Sequence, residues 1–160
     1  MTVFISLLVA ILILTFVLNA LESGNKGRNW MSFKESLDLV GLPIVTFKQG
    51  DKKFNFLLDT GASESVINAN NVKDFVITPL EGSGTSFGID GERKNVNYVS
   101  VNLEYNNNTY PHEYQVLDMQ DALDNIKNEH GVTMVGILGN NFLEQYKYVL
   151  DFADFIAYQK

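Results

Sequence analysis

Cysteine is absent from the 160 residues. That excludes a disulfide framework, a thiol nucleophile and a cysteine zinc site together. It leaves the compartment open, because a chain without thiols is at ease in oxidising and reducing surroundings alike. Prolines number only three, and aromatic and β-branched residues are plentiful, a composition that argues against wholesale disorder. Basic residues are scarce: 12 Lys and Arg face 19 Asp and Glu, a formal net charge of −7, with no basic run long enough to follow a phosphate backbone. Nucleic acid is therefore not an expected partner. The two histidines, His112 and His130, sit in a candidate strand and a polar loop without ligand spacing, so no metal is expected. No Gly-x-Ser-x-Gly signature supports a serine hydrolase.

A long uncharged run is present at the start. Val3 to Leu21 reads VFISLLVAILILTFVLNAL, with Ser6, Thr15 and Asn19 as its distinctly polar members. At about 1.5 Å per residue it matches the hydrocarbon thickness of a bilayer. The competing reading is a cleaved signal peptide. Against it, no Lys or Arg precedes the run, and Leu18-Asn19-Ala20 is a poor small-x-small cleavage site. The expectation is a retained single transmembrane anchor over residues 1–21, a juxtamembrane linker over 22–42 and one domain over 43–160. Lys26, Arg28 and Lys34 all follow the run, which favours a domain facing the cytoplasm.

From Pro43 onward β signals dominate. Ile44 to Lys48 and Lys53 to Leu58 are strand candidates around a Gln49-Gly50-Asp51 turn. Val99, Val101, Leu103 and Tyr105 alternate with polar residues, the period of a half-buried strand. Asn106-Asn107-Asn108 turns the chain into a further strand, Thr109 to Leu117. Met119, Leu123 and Ile126 fall at helical spacing within Asp118 to His130, and Asn140 to Tyr146 is a second short helix candidate. Tyr148 to Tyr158 closes with strand-like apolar pairs. Phe33, Leu37 and Val40 also fall at helical spacing, in a stretch that leads equally well into a strand. Asp118, Asp121, Asp124 and Glu129 read as a solvated helix face, and the Asn107-Asn108-Thr109 sequon reads as an accident of an Asn-rich turn.

The chemically informative stretch is Phe56-Leu57-Leu58-Asp59-Thr60-Gly61-Ala62-Ser63. An apolar strand delivers a carboxylate and breaks at once into a turn of small residues. Gly61 permits close backbone approach, and Thr60 offers a hydroxyl. Alone, Asp-Thr-Gly is also ordinary turn chemistry. A second feature changes the odds: Val135-Gly136-Ile137-Leu138-Gly139-Asn140-Asn141-Phe142-Leu143 places two bulky aliphatics before a glycine and a short helix. Between the two lies Thr85 to Arg93, with the hairpin-forming pair Asp90-Gly91 at its centre.

In these paired motifs the chain resembles the retropepsins, the retroviral-type aspartic peptidases. The likeness spans roughly Pro43 to Tyr158. It implies an all-β fold, a small closed acid-protease barrel with one or two short helices, paired as a homodimer; the transmembrane helix expected from Val3 to Leu21 would precede it. It also implies endopeptidase activity without a cofactor, with Asp59 catalytic and Thr60, Gly61 and Ala62 forming the active-site turn and dimer support. By the same resemblance Gly88, Ile89, Asp90 and Gly91 would form a flap over the substrate. Phe56, Leu58, Ile137, Leu138 and Gly139 would back the site. Asp-Thr-Gly occurs once and no second half repeats it, so a bilobal monomer is excluded and a second copy must supply the partner carboxylate. The expected partners are that second copy, a peptide or protein substrate, and a membrane through residues 3–21. The alternative of another class is a catalytically inactive domain of this fold, serving as a dimerisation or peptide-binding module at the membrane.

Overall fold

The computed structural model describes residues 29–87 and 93–160. The expected anchor, the first part of the expected linker (22–28) and the expected flap residues Gly88, Ile89, Asp90 and Gly91 lie outside the described residues. Among the described residues no helix is long and apolar enough to cross a membrane.

In chain order the elements are β1 (Trp30–Ser32), α1 (Lys34–Val40), β2 (Ile44–Gln49), β3 (Lys52–Leu58) and β4 (Val66–Asn68). A 3-10 helix (Ala69–Asp74), β5 (Ile77–Phe87), β6 (Arg93–Tyr105) and β7 (Asn108–Leu117) come next. Then follow α2 (Gln120–His130), β8 (Gly136–Leu138), α3 (Asn140–Gln145), β9 (Tyr148–Asp151) and β10 (Ile156–Gln159).

Alternation builds the main sheet. Val45 and Phe47 of β2 and Phe54, Phe56 and Leu58 of β3 are buried at every second position, so a single register sends all of them to one side. The hairpin pairs Ile44 with Leu57 through Gln49 with Lys52. The β6–β7 hairpin runs from Asn97 against Val116 to Tyr105 against Asn108. Its turn places Asn106 and Asn107 at φ 48° and 64°, a left-handed conformation that Asn tolerates better than bulkier residues. The sheet order is β2-β3-β8-β4-β7-β6-β5, and Lys48 of β2 meets Glu104 of β6. That last pairing closes a six-strand barrel, β2-β3-β8-β4-β7-β6, and leaves β5 on the outside of β6. The fold is all-β with a few short helices, as expected.

The core is aromatic. Phe47, fully buried, lies 5.7–6.1 Å from the ring centroids of Phe56, Tyr105, Tyr110 and Phe142. Each such pair adds about 0.5–1.5 kcal/mol beyond the area it hides. A smaller cluster of Ile44, Leu123 and Met134 sits under α2, with Met119 and Ile126 packed against it. This is the stripe read from helical spacing.

The domain starts earlier than the boundary at residue 43. Within the expected linker, β1 joins a separate three-stranded sheet, β1-β10-β9, pairing Trp30 with Tyr158 and Ser32 with Ile156. Met31 and Phe33 are 0% and 1% exposed and belong to the main core. The spacing of Phe33 with Leu37 and Val40 is a local signal, whereas the burial of Met31 follows from pairing with a distant strand.

Met31→Ala distinguishes the two boundaries. As a core residue Met31 should cost about 2–5 kcal/mol on truncation, read by urea unfolding at constant slope, whereas a linker position would leave the midpoint unchanged.

Candidate active site

Asp59 follows the last residue of β3, and β3 runs parallel to β8, with Phe56, Leu57 and Leu58 opposite Gly136, Ile137 and Leu138. The Asp59 amide donates to the Leu138 carbonyl at 3.0 Å, extending the ladder by one rung beyond the strand. There the chain turns. The Ala62 amide donates back to the Asp59 carbonyl at 3.2 Å, and the Gly61 amide donates to Asp59 Oδ1 at 2.8 Å. The carboxylate is thus held by its own turn, and it is half-buried. A β-carbon at Gly61 would come within 3.1 Å of that same oxygen, so a larger residue there presses on the carboxylate.

The turn is bolted to the segment after β8. Amides of Asn140 and Asn141 donate to the carbonyls of Ala62 and Ser63 at 2.8 and 3.1 Å, and Asn140 Nδ2 donates to the Thr60 carbonyl at 2.9 Å. This closeness requires small residues. A β-carbon on Gly139 would lie 2.6 Å from the Glu64 carbonyl oxygen and 2.9 Å from that of Ala62, and one on Gly136 would collide with the Val66 carbonyl. Those two glycines are the reason the two loops can touch.

Behind the turn lies a polar cluster enclosed by aromatic rings. Ser65 is fully buried; its amide and hydroxyl both reach Asn141 Oδ1, at 2.8 and 2.7 Å, and its Oγ accepts the Gly139 amide at 3.0 Å. Asn141 Nδ2 donates to Glu64 Oε2 at 2.8 Å. His112, 4% exposed, sets Nε2 3.0 Å from Ser65 Oγ and Nδ1 2.6 Å from Gln145 Oε1. Its ring stands edge-on to Tyr114 and Phe142 at 5.0 and 5.2 Å. Burial pulls the imidazole below its usual value of 6.5; Gln145 and Asn141, with the charges of Glu113 and Glu64, oppose that without outweighing it.

The structure brings together Asp59, Thr60, Gly61 and Ala62 on the turn. It sets Phe56, Leu58, Leu138 and Gly139 buried behind them, with Ile137 half-buried between. β5 and β6 pair from Ile77 with Val101 to Phe87 with Arg93, on either side of the stretch that holds Ile89. The Ser65, Asn141 and His112 cluster was not among the expected site residues. One signal for it is in the sequence: His112 occupies the inward register of β7 between Tyr110 and Tyr114, all three buried. A histidine on the core face of a strand needs polar partners.

A family model described as aspartyl protease matches residues 45–142, more than half of the chain. The chain belongs to the aspartyl protease family. Solved structures with a similar fold include the EIAV protease complexed with the inhibitor HBY-793, at 22% identity and a TM-score of 0.46, covering 65% of this chain and 86% of that one. A retropepsin-like aspartic protease from Rickettsia conorii is similar at 14% identity and a TM-score of 0.48, covering 83% and 90%. The retroviral protease-like domain of Ddi1 from Leishmania major is similar at 13% identity and a TM-score of 0.47, covering 72% and 90%. No curated protein matches the chain.

Two outcomes follow for this family member. Gly139→Ala should destabilise beyond the roughly 1–3 kcal/mol of ordinary overpacking, because the obstructing atoms are backbone carbonyls; denaturant unfolding measures it. The lowered His112 value carries a sign for folding. Between the folded value and 6.5 the unfolded chain binds the extra proton, so His112 stabilises fully above 6.5 and less as pH falls through its folded value. The stability advantage of wild type over His112→Gln should therefore shrink on going from pH 7.5 into the acidic range, in parallel unfolding curves.

Proposed function

We propose that this chain is a membrane-anchored aspartic endopeptidase that works as a homodimer, with one Asp59 from each copy at a shared site. The observation that carries the reading is the single Asp-Thr-Gly of an aspartyl protease family member, standing at a strand end on a turn that fixes its carboxylate. Aspartic proteases need two carboxylates sharing one proton, since two like charges in contact cannot both ionise. With one such acid per chain, an isologous twofold interface supplies the second.

The ionised Asp59 takes a proton from a water as its oxygen attacks the scissile carbonyl. The protonated Asp59 of the other copy gives its proton to the carbonyl oxygen. Collapse of the gem-diol breaks the C–N bond: the protonated carboxyl gives its proton to the leaving amine while the ionised one takes a proton from a diol hydroxyl, which restores the singly protonated dyad. No covalent intermediate and no cofactor enter. Thr60 would tie the two turns together across the dimer, and Gly61 keeps the carboxylate uncrowded. Phe56, Leu58, Ile137, Leu138 and Gly139 support it from behind. Peptide would bind as an added strand, with Gly88, Ile89, Asp90 and Gly91 serving as the flap over it.

Residues 3–21 would hold two copies in one membrane, raising their effective concentration and favouring a weak dimer. The basic residues Lys26, Arg28 and Lys34 would place the domain on the cytoplasmic side.

Incubating the protein with a peptide library at mildly acidic and neutral pH, beside Asp59→Asn, tests the reading. Cleavage should fall by about 10²–10⁴-fold or more in the variant. Equal cleavage by both proteins would overturn the assignment, and no cleavage by wild type would leave an inactive dimerisation or peptide-binding domain. Titrating an excess of Asp59→Asn chains into wild type should depress activity, as mixed dimers form with one acid missing.

A further inference from the structure

Counting donors and acceptors around His112 gives an answer that the fold alone does not. Asn141 is fixed in orientation: its Oδ1 accepts the backbone amides of Ser65 and Phe142, at 2.8 and 2.9 Å, while its Nδ2 donates to Glu64. Oδ1 is therefore an acceptor for the Ser65 hydroxyl 2.7 Å away. Ser65 has one proton to give. Given to Asn141, it leaves Oγ with lone pairs that accept the Gly139 amide and face His112 Nε2 at 3.0 Å. That geometry asks for Nε2–H. On the other side of the ring, Gln145 Nε2 donates to the Pro111 carbonyl at 3.1 Å, so Oε1 faces Nδ1 at 2.6 Å. That contact asks for Nδ1–H. Turning the Gln145 amide round would set two oxygens against each other at Pro111. Both ring nitrogens thus face acceptors, and a neutral imidazole can satisfy only one of them.

We propose that His112 is a proton-responsive positioning residue: its imidazolium form bridges Gln145 to the Ser65–Asn141 clamp behind the Asp59 turn, and the neutral form leaves one end of that bridge, at Ser65 or at Gln145, unmade. This rests on the endopeptidase reading for its effect on turnover, but not for the clamp itself. Ser65 links His112 to Gly139, and Asn141 and its neighbour Asn140 carry the hydrogen bonds to Ala62, Ser63 and Thr60. A loosened Ser65 therefore loosens the backbone that holds Asp59.

The surroundings suit a group that changes charge. Glu64, on the loop after β3, and Glu113, on β7, supply negative charge, while Tyr114 of β7 and Tyr146, next to α3, are the titratable rings beside it. Val101 of β6 pairs opposite and is uncharged. A polar cleft of about 420 Å³, lined by Ser100, Pro111, His112, Glu113, Asn141 and Gln145, opens beside the ring. Burial makes the proton costly, so it is taken up only in acid; the hydrogen bonds determine what it does once there.

The test combines a readout independent of activity with one that depends on it. In the full chain carrying Asp59→Asn, long-range ¹⁵N–¹H spectra report the state of each imidazole, and His112→Gln assigns the His112 signals against those of His130. His112 should pass from neutral to doubly protonated on acidification, and the Gly139 and Ser65 amides should titrate with the same midpoint. Gln145→Ala, at an exposed position, should lower that midpoint and serves if His112→Gln does not fold. On the active protein, the kcat ratio of wild type to His112→Gln should rise as pH falls through the midpoint, by up to about tenfold, the worth of one hydrogen bond, with KM unchanged. Gly139 and Ser65 amides that ignore the His112 titration, or a kcat ratio flat across pH, would overturn the proposal. Wild type without peptidase activity would sink the endopeptidase reading instead, leaving the amide titration to decide the clamp.

Discussion

The parallel pairing of β3 with β8 is the constraint on which the rest depends. It carries two loops out of the sheet side by side, one bearing Asp59 and the other leading into α3. Because parallel neighbours need long connections, nearly eighty residues of barrel separate the two loops in sequence. The close contact joins backbone amides and carbonyls with the side chains of Ser65, Asn140 and Asn141, and glycines stand where a further side chain would intrude. Backbone contacts of this kind fix position well because no rotamer can relax them. A carboxylate mounted on such a joint inherits its rigidity, which is what positioning a water for attack requires.

The polar cluster behind the joint is the costly part of this arrangement. Ser65 and Asn68 are fully buried, and His112 and Gln115 nearly so. Buried polar groups are tolerable only when partnered. Asn68 is: it donates to Asn71 and Gln120 and accepts the Met119 amide, which ties the end of β4 to the start of α2. The group around Ser65 has one proton too few when His112 is neutral. The contrast between a fully satisfied cluster at the end of β4 and a frustrated one just before its start is why the second is the one expected to respond to its environment.

How much of this was legible beforehand depended on whether a signal was local. The β2–β3 and β6–β7 hairpins read correctly because alternation and turn residues lie next to each other in the chain. The Met119, Leu123 and Ile126 stripe read correctly for the same reason. Asp59 stood out because an apolar strand running into Asp-Thr-Gly is a local event, and the Ile137-Leu138-Gly139 motif gave it a distant companion. What escaped was non-local. β4 has only three residues, each buried, too few to show a period. Met31 lies opposite Ala157 of β10 and Phe33 meets Phe152, both over a hundred residues away, and His112 gains its role from Ser65 and Gln145, which no spacing rule connects to it.

The joining of β1 to β10 also bears on mechanics. Trp30 lies opposite Tyr158, and the Gln159 amide donates to the Asn29 carbonyl at 3.0 Å. A pull arriving through residue 29 is met first by this three-stranded sheet, and because Met31 of β1 is buried in the main core, detaching the strand would also draw that side chain out of it. The segment before residue 30 is thus clamped at the edge of the domain, away from the loops around Asp59.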